Sequence, residues 1–432
     1  MSEPLGIALI GCGTVGSGVA RLLLEQPERL AARAARPMQL RRVVVRDVAR
    51  QRPVRLPREL LTTDLHAVLR DPSIQIAVEV VGGVDWARQA VLSLLEAGKD
   101  VVTANKALLA LHGAEVFDAA RKHGRAVAFE ASVAGGVPII AALAQSLAAN
   151  QILSLQGILN GTSNFILTNM TENGVGYADA LAEAQERGFA EADPTLDVDG
   201  TDAAHKLAIL AQIAYGVTVP VTAIPRRGIA NIDTADIRFA NELGYTIKLL
   251  AESYLLEGQL ALHVSPVLIR RQAPLAQVRR AYNAIQVVGD AVGDTLYYGQ
   301  GAGQMPTASA VTADLIDLAV GRAQRTFQTL RLWSGGRDRV KLRPPQSVRS
   351  RYYLRLIVDD RPGVLAEVAT ALAHNQISIS SVIQHEAPEE GNRVQLVIMT
   401  HTAPTGSFMA AAADMDRLTC IAAPCVYYPV GD

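Results

Sequence analysis

Two lysines stand where an ammonium group could transfer a proton. Only six of the 41 basic residues are lysine, so arginine is the usual cation of this chain. A partly desolvated lysine can lose its proton near neutral pH, whereas an arginine cannot. Lys106 follows the apolar run Val101–Thr103, at the carboxyl end of a predicted strand, where ligands bind in open α/β sheets. Lys106 is therefore a candidate catalytic residue, with an ordinary surface lysine as the alternative.

Lys206 combines with an acidic segment. It lies four residues after Asp202, so the two side chains share one helix face and can form an ion pair. The apolar run Leu207–Ile213 predicts a mostly buried helix whose polar start opens into a cleft, with an exposed ion pair as the alternative. Five carboxylates crowd the residues from Glu191 to Asp202. A calcium loop is nevertheless disfavoured, because the D-x-D-x-D-G spacing with a closing glutamate is missing.

A glycine loop near the start of the chain is typical of a dinucleotide site. The pattern G-x-G-x-x-G comes directly after the strand-like run Ile7–Ile10 and before a helical pattern. In this context the first glycine permits a tight turn, the second lets backbone amides approach a pyrophosphate, and the third lets the helix pack on the strand. A glycine turn without a ligand is the alternative. The loop residues are Gly11, Cys12, Gly13, Thr14, Val15 and Gly16.

The end of the second predicted strand bears on the choice of cofactor. The run Val43–Val45 is followed by Arg46 and Asp47. An acidic residue here favours a ribose 2′-hydroxyl, as in NAD, whereas an arginine favours the 2′-phosphate of NADP. Arg46 comes first, so we expect NADP, and Asp47 keeps NAD open. A solvated loop charge is the alternative interpretation of Arg46.

The elements that must position these residues begin with a strand–helix alternation. Short apolar runs alternate with segments long enough for crossover helices, which predicts βαβ units and a doubly wound parallel sheet of Rossmann type. We assign residues 1–135 to this NAD(P)-binding domain, with a return segment at about 300–330. The runs are Ile7–Ile10, Val43–Val45, Ile76–Val81, Val101–Thr103 and Ala126–Phe129, with helical segments at Trp86–Ala97 and Leu108–Lys122.

The remainder of the chain divides into a middle domain, a linker and a tail module. From 136 to 300, strands of a different sheet alternate with long helices such as Ala203–Tyr215, which predicts an α+β domain. Residues 331–351 are rich in Gly, Pro and Arg and are predicted to be a linker. Residues 352–432 then show a compact βαβ-type pattern. The middle strands include Leu153–Leu159 and Ala261–Ile269, and the tail elements are Tyr352–Val358, Pro362–His374, Ile377–Gln384 and Val394–Met399.

Length and composition agree with three units and exclude several classes of protein. At roughly 150 residues per domain, 432 residues predict about three domains. A formal charge of −1 disfavours a nucleic-acid binder. The chain has no apolar run of the length that spans a membrane and no signal peptide, so we expect a cytoplasmic protein. The three cysteines are too scattered for a disulfide framework or a zinc site.

Several motifs together resemble those of the homoserine dehydrogenase family. They occur in family order and cover roughly residues 5 to 320. The chain is similar to the monofunctional form with a C-terminal ACT domain, whose signature matches Leu354–Leu365. The most specific motifs are N-G-T-x-N-[FY]-I and D-P-x-x-D-x-x-G-x-D-x-x-x-K. The matching segments are Gly11–Gly16, Thr103–Lys106, Glu130–Pro138, Leu159–Phe165, Glu191–Lys206, Gly299–Gly303 and Pro306–Ala310.

The resemblance implies reversible NAD(P)H-dependent reduction of L-aspartate 4-semialdehyde to L-homoserine, on the route to threonine, methionine and isoleucine. Lys206 matches the family's proposed proton donor, and Asp202 can hold it in place. Lys106 matches a second active-site lysine, which binds substrate and lies close to the nicotinamide. Glu191 matches the carboxylate that pairs with the substrate α-amino group, with Asp197 as a further polar contact. The positions that match cofactor contacts are Gly11, Gly13, Thr14, Val15, Gly16, Arg46, Thr103, Lys106 and Gly301.

The resemblance also implies a monovalent cation site for Na⁺ or K⁺. Its ligands would be the Glu130 carboxylate and the backbone carbonyls of Val133, Gly135 and Val137. The alternative is a tight turn followed by a helix start at Pro138.

The ACT resemblance implies that residues 352–432 form a ferredoxin-like regulatory domain that pairs and binds an amino acid, with threonine as the expected effector. The candidate positions are Asp360, Gly363 and Asn375. A surface used only for oligomerisation is the alternative. Family resemblance also implies that residues 136–300 form the substrate-binding, catalytic and dimerisation domain. We therefore expect a homodimer through this middle domain, which ACT pairing could extend to a homotetramer.

Two other functions remain open. The chain could be another ACT-linked amino-acid dehydrogenase, which the G-T-S-N and D-P-x-x-D motifs disfavour. It could also be a catalytically inactive sensor of nucleotides and amino acids. The presence of Lys106, Asp202 and Lys206 disfavours the sensor.

Overall fold

The N-terminal domain alternates strands and helices. The structure, a computed structural model, describes residues 3–334, 340–385 and 392–431. Its first elements are β1 (Leu5–Ile10), α1 (Thr14–Glu25), α2 (Pro27–Ala34), β2 (Met38–Val44), β3 (Leu61–Thr62), α3 (His66–Leu69), β4 (Ile76–Glu79), α4 (Asp85–Glu96), β5 (Asp100–Thr103), α5 (Lys106–Lys122) and β6 (Val127–Ala128). The strands are all parallel, in the order β3-β2-β1-β4-β5-β6, so the predicted doubly wound sheet is confirmed. Every residue of the central strand β1 is buried, as expected for a sheet covered on both faces.

The middle domain combines helices with a second, mixed sheet. Its elements are α6 (Ile139–Ala141), β7 (Ile152–Ile158), α7 (Gly161–Asn173), α8 (Tyr177–Glu186), α9 (Thr195–Val198), α10 (Thr201–Tyr215), α11 (Thr234–Glu242), β8 (Tyr245–Leu256), β9 (Gln259–Arg270), β10 (Tyr282–Gly289) and β11 (Gly293–Gln300). The two strands predicted here are β7 and β9. Strand β8 lies between them and pairs with both, and it was not among the predicted strands.

Two helices return the chain to the N-terminal domain. They are α12 (Gln304–Ala319) and α13 (Arg322–Leu330). Helix α12 packs closely on α1, because a Cβ atom at Gly18 would lie 2.8 Å from the Cβ atom of Ala308. The predicted return segment therefore lies against the domain that carries the glycine loop. Within the described ranges, no helix is long and apolar enough to cross a bilayer.

The C-terminal module extends the sheet of the middle domain. Its elements, after the short strand β12 (Lys341–Leu342), are β13 (Arg349–Asp359), α14 (Val364–His374), β14 (Ile379–Gln384), β15 (Arg393–Thr400), β16 (Ala403–Pro404), α15 (Thr405–Met415) and β17 (Val426–Gly431). The sheet order is β11-β10-β7-β8-β9-β17-β13-β15-β14. Strands β9 and β17 join the two halves through a short parallel pairing at Leu268 and Val430.

The described parts of the predicted linker contact the N-terminal domain and the middle domain. Trp333 is buried, and its indole lies against Gly113, where a Cβ atom would come within 2.7 Å of the ring. Strand β12 pairs with β9. Strand β13 already begins at Arg349, inside the predicted linker. Residues 335–339 of this segment lie outside the described residues.

A buried ion pair fastens the C-terminal module to the middle domain. Arg355 on β13 donates to both carboxylate oxygens of Asp236 on α11, at 2.6 and 3.0 Å. The Tyr353 hydroxyl donates to the same carboxylate at 3.0 Å. Asp236 and Arg355 are both buried, so each charge depends on the other for compensation.

The variant Arg355→Met tests this fastening. It leaves the Asp236 carboxylate buried without its cation, and we expect the free energy of unfolding to fall by about 3–5 kcal/mol. Urea-induced unfolding measures the change. The matched control is Arg361→Met, which breaks an exposed ion pair with Glu367 in the same module and should cost at most about 1 kcal/mol. Equal losses in the two variants would contradict the assignment.

Candidate active site

The glycine loop has the shape that a dinucleotide requires. Gly11 has φ +99°, and a Cβ atom there would lie 2.9 Å from the Val80 carbonyl oxygen. A Cβ atom at Gly16 would lie 2.3 Å from the Gly11 carbonyl oxygen, so both positions exclude larger residues. Helix α1 begins at Thr14, and a Cβ atom at Gly13 would meet no protein atom within 4 Å. Open space therefore lies above the loop, beside a helix N-terminus that favours a phosphate.

Arg46 and Asp47 follow β2 with different surroundings. Arg46 is exposed and has no hydrogen-bond or ion-pair partner among the described residues. The Asp47 carboxylate accepts a hydrogen bond from the Ala49 amide at 2.8 Å, and the Asp47 carbonyl accepts one from Arg52. The arginine is thus available to a ligand, while the aspartate is engaged in its own turn.

Thr103 is part of a buried polar cluster at the end of β5. Its hydroxyl donates to Glu79 at 2.6 Å and accepts from the Asn105 amide at 3.0 Å. The Asn105 side chain in turn caps α5 by accepting from the Leu108 amide. Burial raises the pKa of Glu79. This cluster fixes the turn that places Lys106 at the first position of α5.

One carboxylate lies between the two candidate lysines. Asp202, in the first turn of α10, is buried. One of its oxygens accepts from Lys206 Nζ at 2.8 Å, and the other forms an ion pair with Lys106 Nζ. The pair predicted from the four-residue spacing is present, and it is buried, so the interpretation as an exposed ion pair is wrong. Lys106 comes from the N-terminal domain and Lys206 from the middle domain, so the carboxylate joins the two domains.

The hydrogen bonds of Lys206 leave one N–H direction uncommitted. An ammonium group has three donors. Lys206 gives one to Asp202 and one to the backbone carbonyl oxygen of Leu159 at 2.6 Å. A third donor therefore remains for a substrate atom.

The three charged groups shift one another's protonation in opposite directions. Burial alone would raise the pKa of Asp202, but Lys206 and Lys106 together hold it well below its usual range. Burial opposes the charge of Lys106, yet the carboxylate of Asp202, with lesser help from acidic neighbours, raises the pKa of this lysine. Burial of Lys206 outweighs the attraction of Asp202 and lowers its pKa, and the charge of Lys106 acts in the same direction. The charged form is thus favoured for Lys106, and Lys206 is the easier of the two lysines to deprotonate.

The acidic segment is tied to the start of α7. Asn160 Nδ2 donates to Asp197 and to Asp202, each at 2.8 Å. The Thr162 hydroxyl shares its one proton between the Phe189 carbonyl oxygen at 2.7 Å and the second oxygen of Asp197 at 3.0 Å. Asp197 is therefore held by hydrogen bonds from protein donors. Glu191 is exposed, and its carboxylate acts on Lys106 only by electrostatic attraction. Of the predicted substrate residues, Glu191 is the one whose carboxylate is open to solvent.

Gly301 lies where the chain leaves the second sheet for α12. The preceding carbonyl of Gln300 accepts a hydrogen bond from the Gly136 amide at 2.9 Å. The return loop thus lies beside the segment predicted to bind a cation. A Cβ atom at Gly301 would lie 2.1 Å from Cγ of Asn283.

The predicted cation segment is held by its own hydrogen bonds. The Glu130 carboxylate accepts from the amides of Ile140 and Ala141, at 3.0 and 2.8 Å, and burial raises its pKa to about 7. The Val137 carbonyl accepts from the Ile139 amide. Val133 and Gly135 lie in the same buried turn. Among the described residues, no group of three or more His, Cys, Asp or Glu side chains could hold a metal.

The three candidate effector positions lie at two ends of one helix. Asp360 and Gly363 precede α14, and Asn375 follows it. An 11-residue helix is roughly 16 Å long, so the structure does not bring all three together within one chain. Asn375 donates to Asp414 at 3.0 Å and so fastens α14 to α15.

Sequence reasoning missed several residues that shape the site. Asn160 and Thr162 belong to the motif that was quoted, but no role followed from the pattern. Glu79 was visible as a lone acid in an apolar strand. Asn283 carried no signal at all, because only the three-dimensional fold brings it to Leu159.

A glycine-rich dinucleotide loop on a doubly wound sheet, joined to a buried lysine–carboxylate site, defines an NAD(P)-dependent dehydrogenase. Comparison with known proteins narrows this class. Family models match as "Homoserine dehydrogenase, NAD binding domain" over residues 11–130, "Homoserine dehydrogenase" over 138–316 and "ACT domain" over 352–414. The chain belongs to the homoserine dehydrogenase family and is an oxidoreductase that acts on a CH–OH group.

Relatives in sequence and structure cover nearly the whole chain. Homoserine dehydrogenase of Pseudomonas aeruginosa is 42% identical over 428 residues, covering 98% of each chain. The crystal structure of a homoserine dehydrogenase from Thiobacillus denitrificans has a TM-score of 0.91 at 41% identity, covering 100% of this chain and 99% of the other. A hyperthermophilic archaeal homoserine dehydrogenase in complex with NADPH has a TM-score of 0.61 at 26% identity, covering 73% of this chain and 97% of the other.

The variant Gly13→Ala tests the glycine loop. Its methyl group would enter open space where a pyrophosphate approaches, so we expect normal folding and a loss of NADPH affinity of about tenfold or more. Fluorescence titration measures the dissociation constant, and thermal unfolding checks the fold. The control is Gly176→Ala, which lies at the start of α8 and has only one atom, 3.9 Å away, near its Cβ position. Unchanged NADPH affinity in Gly13→Ala would exclude the loop as the cofactor site.

Proposed function

We propose that this enzyme reduces L-aspartate 4-semialdehyde to L-homoserine with NADPH, reversibly, as a step of threonine, methionine and isoleucine biosynthesis. The observation that carries the proposal is the buried Asp202 carboxylate between Lys106 and Lys206. It supplies one fixed cation and one lysine that can exchange a proton, which is what reduction of a carbonyl group requires.

The residues divide the work of the reduction. Bound NADPH supplies the hydride that the aldehyde carbon accepts. Negative charge then grows on the substrate oxygen, and the free N–H of Lys206 stabilises that charge and delivers the proton. Asp202 holds Nζ of Lys206 in place, and Lys106 adds positive charge from the cofactor side of the cleft. The exposed Glu191 carboxylate pairs with the substrate α-ammonium group. Asp197 orders the chain segment between Glu191 and Asp202.

NADP is the proposed cofactor, with Arg46 as the partner of the 2′-phosphate. Arg46 is exposed after β2, whereas Asp47 is occupied by the Ala49 amide. An unpaired guanidinium suits a phosphate, and an engaged aspartate is less able to bind a ribose hydroxyl. The archaeal relative solved with NADPH supports the same choice.

A monovalent cation is proposed to bind the segment from Glu130 to Val137. Each Glu130 oxygen accepts one amide and keeps a lone pair, and a cation would favour the ionised form of this buried carboxylate. The carbonyls of Val133, Gly135 and Val137 would complete the site. Its role would be to order the turn beside the return loop at Gln300, with no part in the proton transfer.

The ACT module is proposed to bind an amino acid, threonine first, between paired modules. A contact route leads from it to the site. Arg227 donates to the Tyr427 carbonyl on β17 at 2.6 Å, and its guanidinium lies 4.8 Å from the centre of the Tyr427 ring. One residue on, Gly228 packs against Val198, at the end of the helix that carries Asp197. A shift of β17 would therefore reach the acidic segment.

A homodimer through the second sheet is proposed, with ACT pairing able to extend it to a homotetramer. Strand β11 is an edge of this sheet and exposes Leu296 by 44% and Tyr298 by 55%. Large apolar groups side by side on an edge strand favour contact with a second copy.

The function is tested by absorbance at 340 nm with aspartate semialdehyde and NADPH or NADH. We expect oxidation of NADPH by the wild-type enzyme and a loss of about 10²–10⁴-fold in kcat for Lys206→Ala, because the proton donor is gone. NADPH affinity should stay nearly unchanged. A folded wild-type protein that binds NADPH but oxidises neither cofactor would favour the sensor, and activity on a different substrate of a panel would favour another amino-acid dehydrogenase.

The pH profile of homoserine oxidation tests Lys206 as the base. In this direction Lys206 must be neutral before it accepts a proton, and its pKa is lowered by burial. We therefore expect kcat to rise with pH and to level off below about 10.4, the ordinary lysine value. A profile that stays flat from about pH 6 to 10, with chemistry shown to limit the rate, would exclude a lysine base.

Threonine inhibition tests the regulatory proposal. We expect threonine to lower the rate of NADPH oxidation by the wild-type enzyme and to do so several-fold less in Arg227→Met, because the contact with β17 is lost. The matched control is Arg226→Met, which replaces the adjacent arginine, an exposed residue. If threonine has no effect at saturation, the effector is not threonine. Equal inhibition of both variants would exclude the Arg227 route.

A further inference from the structure

The carbonyl oxygen of Leu159 receives two donors. Lys206 Nζ donates to it at 2.6 Å, and Asn283 Nδ2 donates at 2.9 Å. A carbonyl oxygen has two lone pairs, so the amide of Asn283 takes one and leaves the other to the lysine. Asn283 lies at the start of β10 and is only 1% exposed, so bulk water cannot replace its amide.

The orientation of the Asn283 amide follows from these contacts. Its nitrogen must face Leu159, because an oxygen in that place would oppose the carbonyl oxygen. Oδ1 is then buried and has no hydrogen-bond partner among the described residues. A buried acceptor without a partner costs free energy, and such groups in native structures require an explanation.

The same amide fills the space above Gly301. A Cβ atom at Gly301 would lie 2.1 Å from Cγ and 2.2 Å from Oδ1 of Asn283. Gly301 is not among the glycines with positive φ, so its backbone conformation does not require glycine. Glycine is required at this position because Asn283 comes so close to it. The loop that returns to the cofactor domain therefore rests on the side chain that contacts the Leu159 carbonyl.

We propose that Asn283 is a positioning residue for the proton transfer. Its amide holds the Leu159 carbonyl in place. That carbonyl sets the direction of the free N–H of Lys206. Asn283 also connects the carbonyl and the lysine to the loop at Gly301. The inference rests on the proposed function, because it assigns Asn283 to the same reaction.

Loss of the Asn283 donor has a defined electrostatic consequence. The Leu159 oxygen would bind the ammonium of Lys206 more strongly, which favours the charged lysine and raises its pKa. In the pH profile of homoserine oxidation, the range over which kcat rises is its alkaline limb. This alkaline limb would then move to higher pH. The charged groups that face Lys206 are Asp202 on its own helix, Lys106 on α5 and Asp197 on α9, and a substitution of Asn283 leaves all three in place.

The first experiment measures kcat, KM and the pH profile for Asn283→Ala and Asn283→Leu. The second variant keeps the approximate side-chain shape, loses the donor and adds no charge. For both we expect kcat to fall about tenfold, because the lysine is less well aligned. We expect the alkaline limb to rise by about half a pH unit or more. The NADPH dissociation constant should change little. A purely structural role would lower thermal stability and leave the limb in place.

The second experiment is a double-mutant cycle with Gly301→Ala. In the wild-type background the added methyl group must displace Asn283, so kcat should fall and the limb should shift as in Asn283→Ala. In the Asn283→Ala background there is room for it, so Gly301→Ala should add little. The control pair lies at the other end of β10, where a Cβ atom at Gly289 would come within 2.8 Å of Asn150 Oδ1. Gly289→Ala and Asn150→Ala should leave the limb unchanged.

Three results would overturn the inference. The first is an unshifted alkaline limb in Asn283→Leu, which remains decisive if Asn283→Ala fails to fold. The second is an equal cost of Gly301→Ala in both backgrounds. The third is an equal shift in the Asn150 and Gly289 controls. Failure of the proposed function looks different, because the wild-type enzyme itself would then not oxidise NADPH with aspartate semialdehyde.

Discussion

The site depends on one buried carboxylate that compensates two lysines from two domains. Asp202 is almost fully removed from water, so its negative charge is stable only while both ammonium groups are close. The same contact holds the start of α5 against the start of α10. The interaction that shifts the pKa values of both lysines therefore also holds the N-terminal and middle domains together at this point.

The surrounding structure orients the side chains of Lys206 and Asp202. The Leu159 carbonyl comes at the end of β7 and receives Lys206, while Asn160, the next residue, binds Asp202. Two consecutive residues thus orient both members of the pair. The second sheet, of which β7 is part, continues into the C-terminal module through β9 and β17. A single sheet links the site to the ACT module, and the buried Asp236–Arg355 pair fastens that module to the middle domain.

Local pattern was enough to predict much of this arrangement. The glycine loop, the doubly wound sheet and the Asp202–Lys206 pair all follow from short spacings: a strand followed by glycines, alternating elements, and two residues one helical turn apart. The tail module followed in the same way from its strand–helix order. In each case the residues that interact are close in sequence, so periodicity and turn residues define the geometry.

The rest depends on contacts between distant segments. Lys106 and Asp202 are nearly a hundred residues apart, and no spacing rule shows that they share a carboxylate. Asn283 reaches Leu159 only because β10 pairs beside β7, a register that is set by the whole sheet. The continuity of the middle sheet with the C-terminal module was equally invisible, since it rests on a two-residue pairing of β9 with β17. The cation ligands and the effector positions followed from family resemblance and remain predictions.

The central claim is that Asp202 and burial separate the pKa values of Lys106 and Lys206. NMR titration of ¹³Cε-labelled lysines tests this directly, because the chain has only six lysines and the variants Lys106→Met and Lys206→Met assign two of the signals. We expect Lys206 to titrate below the ordinary lysine pKa and Lys106 above it. We also expect both pKa values to fall in Asp202→Asn, because each lysine then loses the attraction of the carboxylate. Two lysines that titrate together at the ordinary value, or in the reverse order, would contradict it.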